Sequence, residues 1–335
     1  MPMYTRVDSD LVRELAAIVG EKYVLTDPSA LDPYTHDETV GLRGDPEVVV
    51  KAGSTEEVSR VLRLASEHRV PVTPRTAGFG LSGGCVPVLG GIVLSLERMN
   101  RILEIDCENL TATVEPGVIT GNLHRAVEEK GLFYPPDPAS LDSCALGGNI
   151  AENAGGPRAV KYGVTKDYVL GLEAVLPSGD VIQLGGKLVK NVTGYNLVQL
   201  LVGSEGTLAI VTKATLRLLP LPPVRIDLLV PFNAFEDAAH TVSAIISHRI
   251  VPTAIEFMER DSVQAAERLL GKEVPYHDAA ACLLIGLDGR REEEVLADME
   301  QVGDLCLENG AIDVLVARDR PTRDRLWEAR RIIID

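Results

Sequence analysis

The sequence predicts an α+β protein of two domains, and three observations carry that expectation. A β-α-β rhythm begins at Pro46, a proline-rich stretch interrupts it at Leu219–Pro223 (LPLPP), and beyond that stretch strands and helices alternate afresh. The length of 335 residues agrees, at roughly 100–200 residues per domain.

The elements follow in chain order. Residues 10–24 carry Leu11, Leu15, Ile18 and Val19 at helical spacing. Glu47–Lys51 (EVVVK) is a strand, and Ser54-Thr55-Glu56-Glu57 is a capping-box-like start for a helix with Val58, Val61, Leu62 and Ala65 on one face. Val70–Thr73 is the next strand. Gly91–Leu96 and Leu110–Glu115 are two more, followed by an EPGV turn and a helix over Asn122–Lys130. Tyr134–Gly156 is rich in Pro, Gly and Asn and is expected to be a long functional loop. Leu170–Leu176, Val181–Leu184 and Leu208–Leu218 supply further strands.

After the linker come strand Val224–Val230, helix Phe235–Ser247, strand Ala254–Met258 and a helix to Leu270. Strand Ala281–Leu287, helix Glu292–Glu308, strand Ala311–Val316 and helix Arg320–Ile333 complete the pattern. The alternation with antiparallel returns predicts a ferredoxin-like α+β cap. The expected domains are residues 1–221 and 222–335.

Composition narrows the function. Apolar residues make up 45% and charged ones 24%, as in soluble globular proteins. Lys+Arg 33 against Asp+Glu 49 gives −16, which argues against nucleic acid or anionic membrane as the main partner. The N-terminus has no secretory pattern and no apolar run approaches a membrane span, so a cytoplasmic location is expected. Cys85, Cys107, Cys144, Cys282 and Cys306 are scattered without a C-x-x-C pair, and no His/Cys spacing predicts a metal site.

The stretch PRTAGFGLSGG, Pro74–Gly84, contains G-x-G-x-x-G. A nicotinamide-binding fingerprint needs a helix opening on its last glycine. Here CVPVLGGIVLSL leads instead into another strand, so that reading fails on context. The loop by itself is compatible with a phosphate-holding nest of backbone amides or with a structural turn. In the nest, Thr76 and Ser82 add hydroxyls and Arg75 adds charge. Two more glycine-rich loops, ALGGNIAENAGG (Ala145–Gly156) and the start of VGSEGTLAIVTKATLRL (Val202–Leu218), favour a bound cofactor, because turns alone explain three such loops poorly.

Together these motifs resemble the FAD-binding domain of the vanillyl-alcohol-oxidase (p-cresol methylhydroxylase, PCMH) superfamily, and most of all the D-lactate dehydrogenase and glycolate oxidase catalytic subunit family. PRTAGFGLSGG, PPDP (Pro135–Pro138), GGNIAENAGG (Gly147–Gly156), KYG (Lys161–Gly163) and NVTGYNLVQLLVGSEGTLAIVT (Asn191–Thr212) carry the resemblance, over about residues 46–220. It implies a PCMH-type FAD-binding domain of two α/β subdomains followed by a partial cap. Pro74, Arg75, Thr76, Ala77, Gly78, Phe79, Gly80, Leu81 and Ser82 should cradle the FAD pyrophosphate. Asp137, Gly147, Gly148, Asn149, Ala151, Asn153, Gly155 and Gly156 should line the flavin and ribityl chain, and Glu205, Gly206 and Ile210 the adenosine side. The loop has no histidine, so FAD is expected to be non-covalent.

The implied reaction oxidises a D-2-hydroxy acid such as D-lactate or glycolate by hydride transfer to the flavin. Electrons then pass to a quinone or electron-transfer protein. An iron–sulfur partner subunit and peripheral attachment at the inner membrane face through a partner also belong to the family picture. RDRLWEARR (Arg323–Arg331) resembles the family's L-W-x-x-R segment and points to Arg330 as the clamp on the substrate carboxylate; the alternative is an amphipathic helix with solvated arginines.

Thr76, Phe79, Asn196 and Ala209 depart from the family pattern. The family's later G-D-G-N-L-H segment is not found, so a C-terminally truncated chain is expected and no general base is assigned. His124, in GNLH, is read as a surface helix residue, and His36, His68, His240, His248 and His277 as solvent-facing or structural. The retained Arg330 favours an enzyme; the missing segment favours a non-catalytic FAD-carrying or assembly subunit.

Overall fold

A computed structural model of the chain describes residues 4–332. The chain divides into two compact units. The first comprises residues up to Tyr134, Ser140–Ala154 and Val164–Pro220; the second comprises Pro135–Ala139, Gly155–Gly163 and the chain from Leu221 onward.

In the first unit, helix α1 (Ser9–Val19) starts where the Asp8 carboxylate accepts the N–H groups of Asp10 and Leu11, and it buries Leu11, Leu15 and Val19. Strand β1 (Val24–Leu25) and the one-turn helix α2 (Pro28–Leu31) lead to β2 (Val48–Lys51). The Ser54 hydroxyl accepts the Glu57 N–H at 3.2 Å and so caps α3 (Thr55–His68), which crosses over to β3 (Val72–Arg75). With β4 (Ile92–Ser95) these strands form a four-stranded sheet in the order β1-β2-β4-β3. The last three strands are parallel, as a β-α-β crossover requires.

A second, fully antiparallel sheet holds β5 (Ile102–Asp106), β6 (Thr111–Val114), β8 (Val169–Val175), β9 (Val181–Gly185) and β10 (Ile210–Arg217) in the order β5-β6-β10-β8-β9. Helix α4 (Thr120–Glu128) follows β6, and the short β7 (Leu132–Phe133) pairs with β11 (Leu219–Pro220). Val175 and Ile210 of this sheet pack into the same core as Val50, Val58, Leu62 and Leu94 of the first. Helix α7 (Leu197–Leu201) precedes β10.

Two expectations for this unit are corrected. The Tyr134–Gly156 segment is not one long loop: Leu146–Glu152 forms helix α5, which ends at Asn153 in the left-handed conformation. His124 is not on the surface. It is 5% exposed on α4, with the Tyr134 ring edge-on at 5.7 Å. Strand β5 was not anticipated at all.

The second unit is an antiparallel sheet of β12 (Val224–Phe232), β13 (Ala254–Glu259), β14 (Ala281–Gly289) and β15 (Leu315–Ala317), ordered β13-β14-β12-β15. Period-two alternation along β12 and β14 sends Leu228, Val230, Leu283 and Ile285 to the core shared with α8 (Phe235–Ser247) and α10 (Glu292–Glu308). Leu229 and Leu284 go to the opposite core, with Val263 of α9 (Arg260–Leu270) and Trp327 of α11 (Arg320–Arg331). The expected strand Ala311–Val316 is shorter and later, with Ala311 reduced to a single bridge to Phe232. The expected extension of α11 to Ile333 lies outside the described residues. One more turn of helix, α6 (Ala159–Tyr162), is tied to β14 where Lys161 Nζ and the Tyr162 hydroxyl both reach Asp288.

Candidate functional site

In the first unit the loop after β3 is built around a buried cation. Arg75 is 8% exposed; its Nη1 donates to the His36 carbonyl at 2.7 Å and its Nη2 to the Pro33 carbonyl at 3.0 Å. Gly78 sits directly over this guanidinium at φ +80°, where any Cβ would collide with Nη2. Arg75 therefore braces the loop from beneath, with these donors spent on carbonyls. Along the loop, the backbone N–H groups from Ala77 to Ser82 have no protein acceptor among the described residues, whereas that of Gly83 donates to the Asp37 carboxylate at 3.1 Å. A run of open amides on a chain with net charge −16 suits an anion held by backbone dipoles.

The other two glycine-rich loops close on the first. Gly147 and Gly148, in the first turn of α5, lie against Thr76. The Asn149 amide nitrogen is committed to Thr120 Oγ1 at 2.6 Å, and Asn153 Oδ1 accepts the Lys166 N–H at 2.9 Å. The third loop hangs on α5 through Gly203 N–H to the Ile150 carbonyl (3.0 Å) and Glu205 N–H to the Ala151 carbonyl (2.9 Å). A Cβ on Gly206 would come within 2.5 Å of Pro74 Cγ, so only glycine lets these loops touch. Pro74, Gly206 and Ile210 share the wall of one cleft of about 580 Å³ with Leu62, Val72 and Val175. Phe79 and Leu81 are exposed.

In the second unit, Asp137 is 3% exposed and held between two arginines, Arg158 Nε at 3.2 Å and Arg331 Nη2 at 3.4 Å. Its carbonyl lies against the Cα of Gly156, so the PPDP segment and Gly155–Gly156 are packed together. Arg330 is set by three residues. Trp327, one turn earlier, donates its indole N–H at 2.9 Å to Asp227, a fully buried carboxylate also paired with Arg225. That contact fixes the face α11 presents. Arg330 Nε then donates to Glu256 Oε2 at 2.5 Å, and Nη2 reaches the same oxygen.

With this geometry in view, comparison with known proteins gives two domain matches. Residues 46–185 match the family model described as FAD binding domain, and residues 221–335 match the C-terminal domain of FAD linked oxidases. Over 325 residues the chain is 46% identical to glycolate oxidase subunit GlcD of Bacillus subtilis (strain 168), covering 97% of this chain and 69% of that protein. This chain is a member of the FAD-linked oxidases. FAD is its cofactor.

Another relative of this oxidase is D-lactate dehydrogenase of Anaerostipes hadrus, 41% identical over 99% of this chain and 71% of that protein. The chain thus spans about seven-tenths of the length of these two relatives. Among solved structures, p-cresol methylhydroxylase with substrate bound superposes with a TM-score of 0.81 at 22% identity, covering 97% of this chain and 71% of that one, a likeness of fold alone. The PCMH-type fold expected from the sequence is the fold this oxidase has. No helix among the described residues is long and apolar enough to cross a membrane.

Glu256, Asp227 and Glu152 were not singled out from the sequence. Glu256 and Asp227 sit on strands whose apolar alternation gave the strands themselves, and a charged residue interrupting such a run was the available signal. Glu152 lies within GGNIAENAGG, between Ala151 and Asn153.

Proposed function

We propose that this oxidase converts a small D-2-hydroxy acid, such as D-lactate or glycolate, to its 2-oxo acid, and that the electrons leave to a quinone or electron-transfer protein. The observation that carries the proposal is the fixed guanidinium of Arg330. Nε and Nη2 are held on one Glu256 oxygen, while Nη1 has no protein acceptor among the described residues, so the group is oriented before any ligand arrives. An arginine held in this way is suited to take a carboxylate by a charge-assisted hydrogen bond. The names of the two relatives, a glycolate oxidase subunit and a D-lactate dehydrogenase, agree with a 2-hydroxy acid.

FAD supplies the two-electron acceptor for the carbinol hydrogen. In the proposal, the amides from Ala77 to Ser82 hold its pyrophosphate, the cleft walled by Pro74, Gly206 and Ile210 takes the adenosine end, and Gly147, Gly148, Asn149, Ala151, Asn153, Gly155, Gly156 and Asp137 serve the ribityl and flavin end. Arg75 contributes its charge from below the loop. Attachment without a covalent bond and an iron–sulfur partner subunit belong to the same proposal.

The test is to reconstitute the chain with FAD and add D-lactate, glycolate or D-2-hydroxyglutarate without oxygen. Bleaching of the flavin absorbance is expected with at least one of them. A yellow protein that none of these acids reduces overturns the proposal.

A further inference from the structure

The loop assigned to the pyrophosphate is ringed by carboxylates. Asp37 accepts the N–H groups of Gly83 (3.1 Å) and Thr39 (3.0 Å) and lies 3.7 Å from Cys85 Sγ. Glu205 reaches over Gly84, so that a Cβ there would sit 2.9 Å from its Oε2. Glu152, at the last residue of α5, brings Oε1 against Gly80 and accepts the Ser82 hydroxyl at 3.3 Å. The nearby cation, Arg75, is buried beneath Gly78 and hydrogen-bonded to carbonyls. Charged or titratable residues on the surrounding segments include His36, beside Asp37, with its Nδ1 3.1 Å from Thr35 Oγ1; the Arg43–Asp32 ion pair; Glu38, whose N–H binds the Gly80 carbonyl; Lys166 and Asp167, on the turn bound by Asn153; and Lys213 of β10, paired with Glu173.

An anion with two negative charges brought to this loop meets net negative charge, and Coulomb repulsion at contact distance is costly. Protonating one carboxylate lessens it. Asp37 is satisfied by backbone donors. Glu152 instead faces a hydroxyl, which can donate to a carboxylate or accept from a carboxylic acid, so this pair keeps its hydrogen bond in either protonation state. We propose that Glu152 is the proton acceptor coupled to FAD binding, taking up one proton as the pyrophosphate settles beside it. The inference rests on the assignment of the Ala77–Ser82 loop to the pyrophosphate.

The unliganded carboxyl already leans that way. Partial desolvation against the loop raises it above the ordinary carboxylate range, and Glu205 and Asp37 add to this while the Ser82 hydrogen bond opposes it. The neighbouring pyrophosphate raises it further. FAD affinity is therefore highest below both values, falls as pH rises between them by up to about tenfold per pH unit, and levels off above them.

The test is calorimetric titration of the FAD-free protein with FAD at a series of pH values upward from the ordinary glutamate value of 4.5, in two buffers of different ionisation heat. The wild type is expected to take up protons and to bind several-fold more weakly at the upper pH. Glu152→Gln should take up none and show a flat dissociation constant, while Glu205→Gln keeps the slope. Proton uptake that persists in Glu152→Gln, or is absent in the wild type, overturns the proposal. A Gly78→Val variant separates the two levels of the argument. If it binds FAD as the wild type does, the loop assignment itself falls; if it loses FAD while Glu152→Gln keeps the wild-type slope, only the protonation proposal falls.

Discussion

The two units handle negative charge in opposite ways. The glycine-rich loops of the first expose backbone N–H groups and surround them with Asp37, Glu152 and Glu205, with one buried arginine set beneath. The second relies on side-chain charge, with three guanidiniums already matched to carboxylates: Arg330 with Glu256, and Arg158 and Arg331 with Asp137. A site made of amides depends on backbone shape and is destroyed by a single Cβ. A site made of ion pairs depends on orientation and balance of charge and degrades by steps. The first kind suits a cofactor that stays, the second a substrate that comes and goes.

Substitutions that attack shape in one unit and charge in the other should separate the two kinds of site. The largest effect is expected from Gly78→Val, whose side chain must displace the buried Arg75 guanidinium at a left-handed backbone position. The purified protein should be colourless and fail to quench added FAD fluorescence; a fully yellow variant breaks the account of the loop.

Next comes Asp137→Ala, which strips the counter-ion from Arg158 and Arg331 where the aspartate side chain is 4% exposed. Removing one partner of a buried pair costs about 3–5 kcal/mol, and denaturant melts should show it. A loss below about 1 kcal/mol would place this cluster among ordinary surface pairs.

Arg330→Met should lower kcat/KM for the hydroxy acid by roughly 100-fold, on the scale of about 1.5–3 kcal/mol for a hydrogen bond to a charged group, with FAD content unchanged. Glu256→Gln keeps the shape of the brace but removes its charge. It should cost less, about tenfold and chiefly in KM, because it loosens the arginine without deleting it. If Glu256→Gln proves more damaging than Arg330→Met, the order of roles in the second unit is reversed.

The same contrast governs what could be read from the sequence. Helices Phe235–Ser247 and Glu292–Glu308 were bounded correctly because their apolar faces repeat without interruption, and the capped start of α3 was legible in Ser54 and Glu57. The three loops were visible as glycine clusters. Helix α5 was missed because LGGNIAE carries two glycines, poor helix formers whose presence is tolerated where α5 packs against Thr76. His124 was misplaced because a polar residue on an amphipathic helix reads as outward-facing, whereas its burial beside Tyr134 is a tertiary contact that the local sequence does not report. Glu256 and Asp227 reach their partners Arg330 and Trp327 across 74 and 100 residues of chain, a separation that no local pattern reports.

In the proposed site the backbone amides of Ala77–Ser82 make the direct contacts to the cofactor's anion, with Arg75 acting only from beneath. Amide hydrogen exchange measured across Arg75–Gly84, with and without bound FAD, tests this arrangement most directly. The amides from Ala77 to Ser82 should exchange freely without FAD and slow markedly when it binds. Exchange unchanged across this loop in a protein that is demonstrably loaded with FAD would contradict the account.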